Sequence, residues 1–333
     1  MLLFIFNVLN ADRMQQVYGI IAEREGLSVM IDIHNLNKSY KSFQAVKNSS
    51  FYVEKGEIFG FLGPNGAGKS TTINILSTML QPTSGSVTIN GYDVIKQQNR
   101  VRESIGIIFQ QNTLDEKLTA RENLMLHCKF YGVPRTSRKH RINEVLEIVD
   151  LQESINTLVE KFSGGMQRRL EIARGLLHYP KVLFLDEPTV GLDPQTRAHV
   201  WEYILKLKEK ENITMFLTTH YLDEAEISDR IAIMDHGEII AIDTPKRLKQ
   251  QLGGDIIEIT TSDNEAAMKE IKDNFNVVEL SLKDDVIYCK VKNSDAFVSD
   301  FIKTLQTPLT GLDIRKPTLN DVFLSFTGRE IRD

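Results

Sequence analysis

Cysteine is nearly absent from this chain. Only Cys128 and Cys289 occur in 333 residues, far apart and without metal-like spacing. Both read as small core residues in a reducing compartment, which argues against zinc or a disulfide framework. Long apolar runs are missing as well. No stretch approaches the ~20 residues needed to span a bilayer, so any work at a membrane falls to a separate subunit. The apolar opening at residues 1–9 is too short for a span, and it lacks the basic start and small-residue cleavage site of a secretory leader. The first convincing strand begins at Met30, which leaves residues 1–29 as an extension, disordered or an overlong start with Met30 the true initiator. Basic charge is not in excess either. The formal net charge is −5, and residues 255–333 carry 15 acidic against 10 basic residues while the rest carries 30 of each. A neutral body with an acidic tail is a poor electrostatic match for nucleic acid. The densest basic run, Arg135-Thr136-Ser137-Arg138-Lys139-His140-Arg141, reads as a solvated loop entering a helix; a surface facing anionic lipid or a partner is the alternative. Internal repeats and low-complexity tracts are also lacking.

What the chain does have is a phosphate-binding loop, Gly63-Pro64-Asn65-Gly66-Ala67-Gly68-Lys69-Ser70. It lies between a predicted strand over 58–62 and a predicted helix over 70–79. Glycines at 63, 66 and 68 carry no Cβ and can take positive φ, so the backbone can fold around a phosphate with its N–H groups turned inward. Lys69 is expected at the β- and γ-phosphates, the Ser70 hydroxyl on Mg²⁺, and Thr71 at the α-phosphate.

The surrounding pattern is an α/β chain. Strands are expected at 31–33, 45–51, 58–62, 86–89, 105–109, 182–185, 213–218 and 231–234, and the alternation with helices predicts a mostly parallel sheet beside an antiparallel β subdomain. Residues 112–162 read as an inserted helical subdomain, with apolar stripes at Leu124, His127, Cys128 and Tyr131 and at Val145, Leu146, Ile148 and Val149. After Gly253-Gly254, a plausible hinge, the order becomes βαββαβ, with a hairpin turning at Asp284-Asp285. That order fits a small ferredoxin-like α+β domain over 253–333. The main domain is therefore placed at 30–252.

Two further sites carry chemistry. Val182-Leu183-Phe184-Leu185-Asp186-Glu187 is an apolar strand that delivers two carboxylates. Asp186 can hold Mg²⁺ through water, and Glu187 can take the proton of a water attacking the γ-phosphate. Ser163, in Phe162-Ser163-Gly164-Gly165-Met166, is a good helix N-cap followed by approachable backbone N–H groups. A chain with two phosphate sites binds either two ligands or one ligand shared across a dimer.

Taken in order, the phosphate loop, Gln110, Ser163-Gly164-Gly165, Asp186-Glu187, Gly191-Leu192-Asp193 and His220 resemble the nucleotide-binding subunit of ABC transporters, over about residues 31–250. Met166 stands where that family usually has glutamine. The tail, with Pro317-Thr318-Leu319-Asn320-Asp321-Val322-Phe323, is similar to the daunorubicin-resistance-type exporter ATPases. The resemblance implies a P-loop ABC ATPase that binds ATP and Mg²⁺. Two such subunits, identical or not, would close head-to-tail around two ATP molecules, each held by the phosphate loop of one chain and Ser163, Gly164 and Gly165 of the other. It also implies Tyr40 stacked on adenine, with Phe43 as a rival. Gln110 would touch Mg²⁺ and sense the γ-phosphate, Asp193 would contact the opposite subunit, and His220 would steady the attacking water. A separate membrane permease would export drugs, lipids or polysaccharides, and the ATPase would sit on the cytoplasmic face of the membrane. The small domain would be regulatory or dimer-supporting, or a stabilising appendage. Competing readings are a soluble ABC-type ATPase in a non-transport process and a nucleotide-dependent switch; Glu187 argues against the switch.

Overall fold

Large apolar side chains alternate along the central strands, and that alternation builds two cores on one sheet. In the computed structural model, which describes residues 28–283, 285–292 and 294–328, the chain divides between Ile242 and Asp243 into two compact units. The expectations for residues 1–27, Asp284 and Arg329 fall outside the described residues.

The first unit holds two sheets. β1 (Val29–Tyr40), β2 (Phe43–Glu54), β4 (Ser84–Ile89) and β5 (Tyr92–Asp93) form an antiparallel sheet in the order β2-β1-β4-β5. β3 (Ile58–Leu62), β6 (Ile105–Ile108), β7 (Val182–Asp186), β8 (Thr214–Thr219), β9 (Arg230–Asp235) and β10 (Glu238–Asp243) form the other, ordered β10-β9-β3-β8-β7-β6. Its pairs β9–β3, β3–β8, β8–β7 and β7–β6 are parallel, as the sequence pattern predicts. β3 and β8 are buried at every position, as strands covered on both faces must be. Phe59, Phe61, Phe184 and Phe216 point toward the antiparallel sheet, where Phe51 stacks on Phe59 at 5.2 Å. Their neighbours Ile58, Leu183, Leu185, Met215 and Leu217 point to the opposite core.

Helices complete the unit: α1 (Lys69–Leu76), α2 (Gln98–Ser104), α3 (Ala120–Phe130), α4 (Arg138–Ile148), α5 (Gly164–Leu176), α6 (Pro194–Glu211) and α7 (Leu222–Glu226). α3 and α4 form the helical insertion expected between 112 and 162, and they bury Leu124, Cys128, Ile142, Val145 and Leu146. A capping box starts α3, with the Glu122 N–H donating to Thr119 Oγ1 and the Thr119 N–H to Glu122 Oε2.

The second unit contains α8 (Pro245–Gln251), β11 (Asp255–Thr261), α9 (Asn264–Asn274), β12 (Glu279–Lys283), β13 (Val286–Val291), α10 (Ser294–Thr304), β14 (Leu309–Arg315) and α11 (Leu319–Thr327). From β11 to β14 the order is βαββαβ, in an antiparallel sheet β12-β13-β11-β14, the ferredoxin-like arrangement. The expected boundary at 252/253 falls one helix late. α8 packs against α11, with Leu248 and Phe323 buried, so it goes with the second unit. Gly254 is not a hinge between the units: a Cβ there would meet the Val291 carbonyl oxygen at 2.1 Å, so the glycine serves close packing inside the second unit.

Candidate functional site

Three neighbouring parallel strands, β3, β8 and β7, end on the same side, and the loops beyond their C-termini meet there. The phosphate loop follows β3. Gly66 (φ 82°) and Gly68 (φ 112°) are left-handed, as expected. Gly63 is not; a Cβ at that position would lie 2.3 Å from the Met234 carbonyl oxygen of β9, so close approach requires this glycine. Ala67 is buried, whereas Asn65 and Ser70 are exposed and Thr71 is half-buried at the start of α1. Lys69 is 4% exposed; its Nζ donates to the carbonyls of Gly63 (2.6 Å) and Pro64 (3.1 Å). Burial lowers its pKa, against the opposing pull of Glu187 and Asp186.

β7 delivers the carboxylates. Asp186 Oδ1 accepts from Thr218 Oγ1 on β8 at 2.6 Å. Burial raises the Asp186 pKa, the Thr218 hydrogen bond opposes this, and the Glu187 charge adds to it. Glu187 sits at φ 46°, a left-handed conformation that costs an ordinary residue roughly 1–2 kcal/mol. Its N–H donates to the Thr218 carbonyl at 3.1 Å, which holds the turn. Gln110 Nε2 donates to Glu187 Oε2 at 3.0 Å; Oε1 lies 3.7 Å from Lys69 Nζ and 3.4 Å from His220 Nδ1. His220 Nδ1 is buried and, among the described residues, has no hydrogen-bond partner. The structure thus gathers Lys69, Gln110, Asp186, Glu187 and His220, residues up to 151 positions apart in the sequence.

The other expected residues lie elsewhere in the chain. Ser163 caps α5, its Oγ accepting from the Met166 N–H at 3.3 Å, and Ser163 and Gly164 are exposed. Asp193 caps α6, its Oδ1 accepting from the Thr196 N–H at 3.0 Å. Tyr40 ends β1, 45% exposed, with Lys38 Nζ 5.1 Å from its ring centre; Phe43 is 62% exposed. Among the described residues, no hydrogen bond or ion pair joins Ser163, Gly164, Gly165, Asp193 or Tyr40 to the Lys69–Glu187 cluster. Met166 packs partly into the helical core, and Gln167 bonds Asn112 Nδ2 at 2.8 Å.

Sequence reading missed the residues that brace this site. Arg168, on α5, is 7% exposed. Its guanidinium donates to the carbonyls of Phe109, Glu187 and Pro188 and pairs with Glu171 Oε2 at 2.7 Å. Burial lowers the Arg168 pKa, and Glu171 resists the shift. Glu171 also accepts from the Thr113 N–H at 2.9 Å, and Arg174 bonds Thr113 Oγ1. On the other side, the buried carboxylate of Glu224 accepts from Thr189 Oγ1, from Trp201 Nε1 at 3.1 Å and from Thr219 Oγ1 at 2.6 Å. One group therefore fixes both the segment after Glu187 and the strand end before His220. The one available signal was charge at helical positions that are otherwise apolar, in Glu171-Ile172-Ala173-Arg174.

The donors present suit a magnesium nucleotide. Ser70, Gln110 and Asp186 offer hard oxygen atoms. Among the described residues no cluster of three or more His, Cys, Asp or Glu could hold a metal ion; magnesium beside a nucleotide takes most of its ligands from phosphate and water.

Residues 46–190 match the ABC transporter family, and residues 244–327 match the ATP-binding protein DrrA1-3-like C-terminal domain. The linearmycin resistance ATP-binding protein LnrL of Bacillus subtilis is 42% identical over 91% of this chain and 100% of its own length. The daunorubicin resistance ATP-binding protein DrrA2 of Streptomyces coeruleorubidus is 37% identical over 88% of this chain and 93% of its own. Among solved structures, the dimeric post-hydrolysis state of the ATP-binding cassette MJ0796, bound to ADP and Pi, aligns with a TM-score of 0.59 at 31% identity, covering 65% of this chain and 98% of that one.

Proposed function

The chain belongs to the ABC transporter family of ATP-binding subunits, and on that premise we propose that it hydrolyses ATP to drive export through a separate membrane permease from the cytoplasmic face. The observation that carries this reading is Glu187, held among Lys69, Gln110 and His220. Phosphoryl transfer to water asks the protein mainly for positioning and charge neutralisation. Lys69 would turn from its loop carbonyls to the β- and γ-phosphates, and backbone N–H groups of residues 65–71 would surround them. Glu187 would take a proton from the attacking water, and His220, whose Nδ1 is buried beside Glu187 without a hydrogen bond among the described residues, would bond the γ-phosphate. Ser70, Gln110 and Asp186 would hold Mg²⁺, whose charge would offset the negative charge of the phosphate oxygens.

The exposed Ser163 and Gly164 fit a site completed by a second subunit, homologous or identical, with Asp193 at the same seam and Tyr40 against the adenine. The relatives' roles in linearmycin and daunorubicin resistance support the drug class among the substrates expected for export. The decisive experiment mixes two variants. Lys69→Ala should lose ATP binding, and Ser163→Arg should bind ATP without turnover. Their mixture should regain hydrolysis, because each mixed dimer keeps one intact composite site. Normal hydrolysis by Ser163→Arg alone would refute the shared site, and an unaltered ATP titration for Lys69→Ala would remove the nucleotide assignment.

A further inference from the structure

Among the described residues, β12 is an edge strand of the second unit's sheet, paired with β13 on one side only. Its sequence is Glu279-Leu280-Ser281-Leu282-Lys283, with Leu280 half-buried and the other four exposed. Edge strands expose a row of backbone donors and acceptors that can pair with another chain. This strand is complementary to itself. A two-fold axis through Ser281 sets Glu279 opposite Lys283 of a second copy, twice, and Leu280 opposite Leu282, twice. In an antiparallel pair, opposite charges and apolar residues at directly facing positions are favourable.

The two faces of the strand agree with that register. On the face carrying Glu279 and Lys283, Glu279 lies opposite Lys290 of β13, so a second lysine from a second copy would flank the same carboxylate. On the other face, Leu280 and Leu282 lie opposite Cys289 and Ile287, which belong to the unit's core. Leu282 remains 42% exposed and Val278 51% exposed. A groove of about 570 Å³ runs beside Val278, with Met268, Phe275 and Leu280 in its lining together with Lys269, Lys272 and Glu279. The other sheet edge, β14, reads Leu-Thr-Gly-Leu-Asp-Ile-Arg and has no such symmetry.

We propose that β12 pairs with β12 of a second copy of this chain, joining two four-stranded sheets into one and linking the subunits independently of nucleotide. The association is separate from the shared nucleotide site. Ser163→Arg should therefore leave it unchanged.

The test is sedimentation velocity of the full chain without nucleotide. The wild type should be dimeric well below about 100 μM. Glu279→Lys and Lys283→Glu should each weaken the dimer about tenfold, because each turns two attractive cross-strand pairs repulsive. The double swap Glu279→Lys/Lys283→Glu should restore association. Mixing the two single variants should give a heterodimer, since its facing residues are then lysine against glutamate at both positions. A wild type that stays monomeric at about 100 μM, single reversals that associate like wild type, or folded single variants that fail to combine would each overturn the proposal.

Discussion

Glu187→Gln isolates the chemistry of the site. The substitution replaces one carboxylate oxygen by an amide nitrogen at nearly constant volume. Gln110 Nε2 donates to Oε2 at 3.0 Å, so the amide oxygen should keep that place. The new NH₂ then faces Lys69 and His220, where Oε1 lay at 3.7 and 3.4 Å. Two losses follow, and they differ in size. General-base catalysis contributes about 10²–10⁴-fold, which is about 3–5 kcal/mol of transition-state stabilisation. The Lys69–Glu187 attraction at 3.7 Å is about 4 kcal/mol gross for an effective dielectric of about 20. Removing one partner of a buried pair costs about 3–5 kcal/mol where the other charge is left uncompensated, and the carbonyls of Gly63 and Pro64 that Lys69 keeps should hold the loss of folding stability below that. Turnover should therefore fall by two to four decades, while ATP affinity moves by less than about threefold. Affinity should not fall, because removing a negative charge beside the phosphates lowers repulsion. Single-turnover hydrolysis and equilibrium nucleotide binding on the same preparation separate the two effects, and size-exclusion chromatography should show a persistent dimer with ATP. Turnover within about fivefold of wild type at unchanged affinity would refute the assignment of Glu187 as base.

Three other perturbations test the supporting structure. Burial raises the Asp186 pKa, so as pH climbs from the ordinary carboxylate range the unfolded chain loses this proton first and stability falls. Asp186→Asn should flatten that fall and melt higher near neutral pH without nucleotide, while Mg²⁺-dependent hydrolysis is lost; a melting profile parallel to wild type across the pH series would exclude the buried-charge account. Arg168→Lys keeps a charge beside Glu171, but its ammonium has three donors on one nitrogen for four spread acceptors, the three carbonyls and Glu171, and at about 1.5–3 kcal/mol for each charge-assisted bond lost it should unfold at lower urea and lower kcat more than it raises KM; a KM-only effect would count against bracing. Gly63→Ala should damage nucleotide binding, because its methyl must displace the Met234 carbonyl now 2.3 Å from the Cβ position; normal ATP affinity would show that the loop tolerates the shift.

The sequence made legible whatever depends on local spacing. The phosphate loop, the strand ending in Asp186-Glu187, the α5 cap and the βαββαβ order all follow from residues close together in the chain, and the structure contains each of them. What stayed hidden depends on convergence across the chain. Nothing near Glu224 announces that it will meet Thr189, Trp201 and Thr219, and nothing near Arg168 announces the carbonyls of Phe109 and Glu187. Gly63 needed the neighbouring β9 before its requirement could be assigned to contact and not to φ. The boundary missed by one helix for the same reason: Gly253-Gly254 is a strong local punctuation mark, but the tertiary packing of α8 on α11 places that helix with the second unit.

Arg168 also has a consequence for how two subunits share their work. α5 begins at the exposed Ser163, the group offered on the shared-site reading to the other subunit's ATP. Less than two turns later the same helix grips the backbone next to Gln110 and Glu187, which on that same reading serve this subunit's own ATP. A subunit built this way has no independent hands. On that reading, any tilt of α5 that follows capture of the neighbour's γ-phosphate would reach this subunit's own hydrolytic residues, so each ATP would set the timing of the other, and a lesion in one half of the pair should slow both.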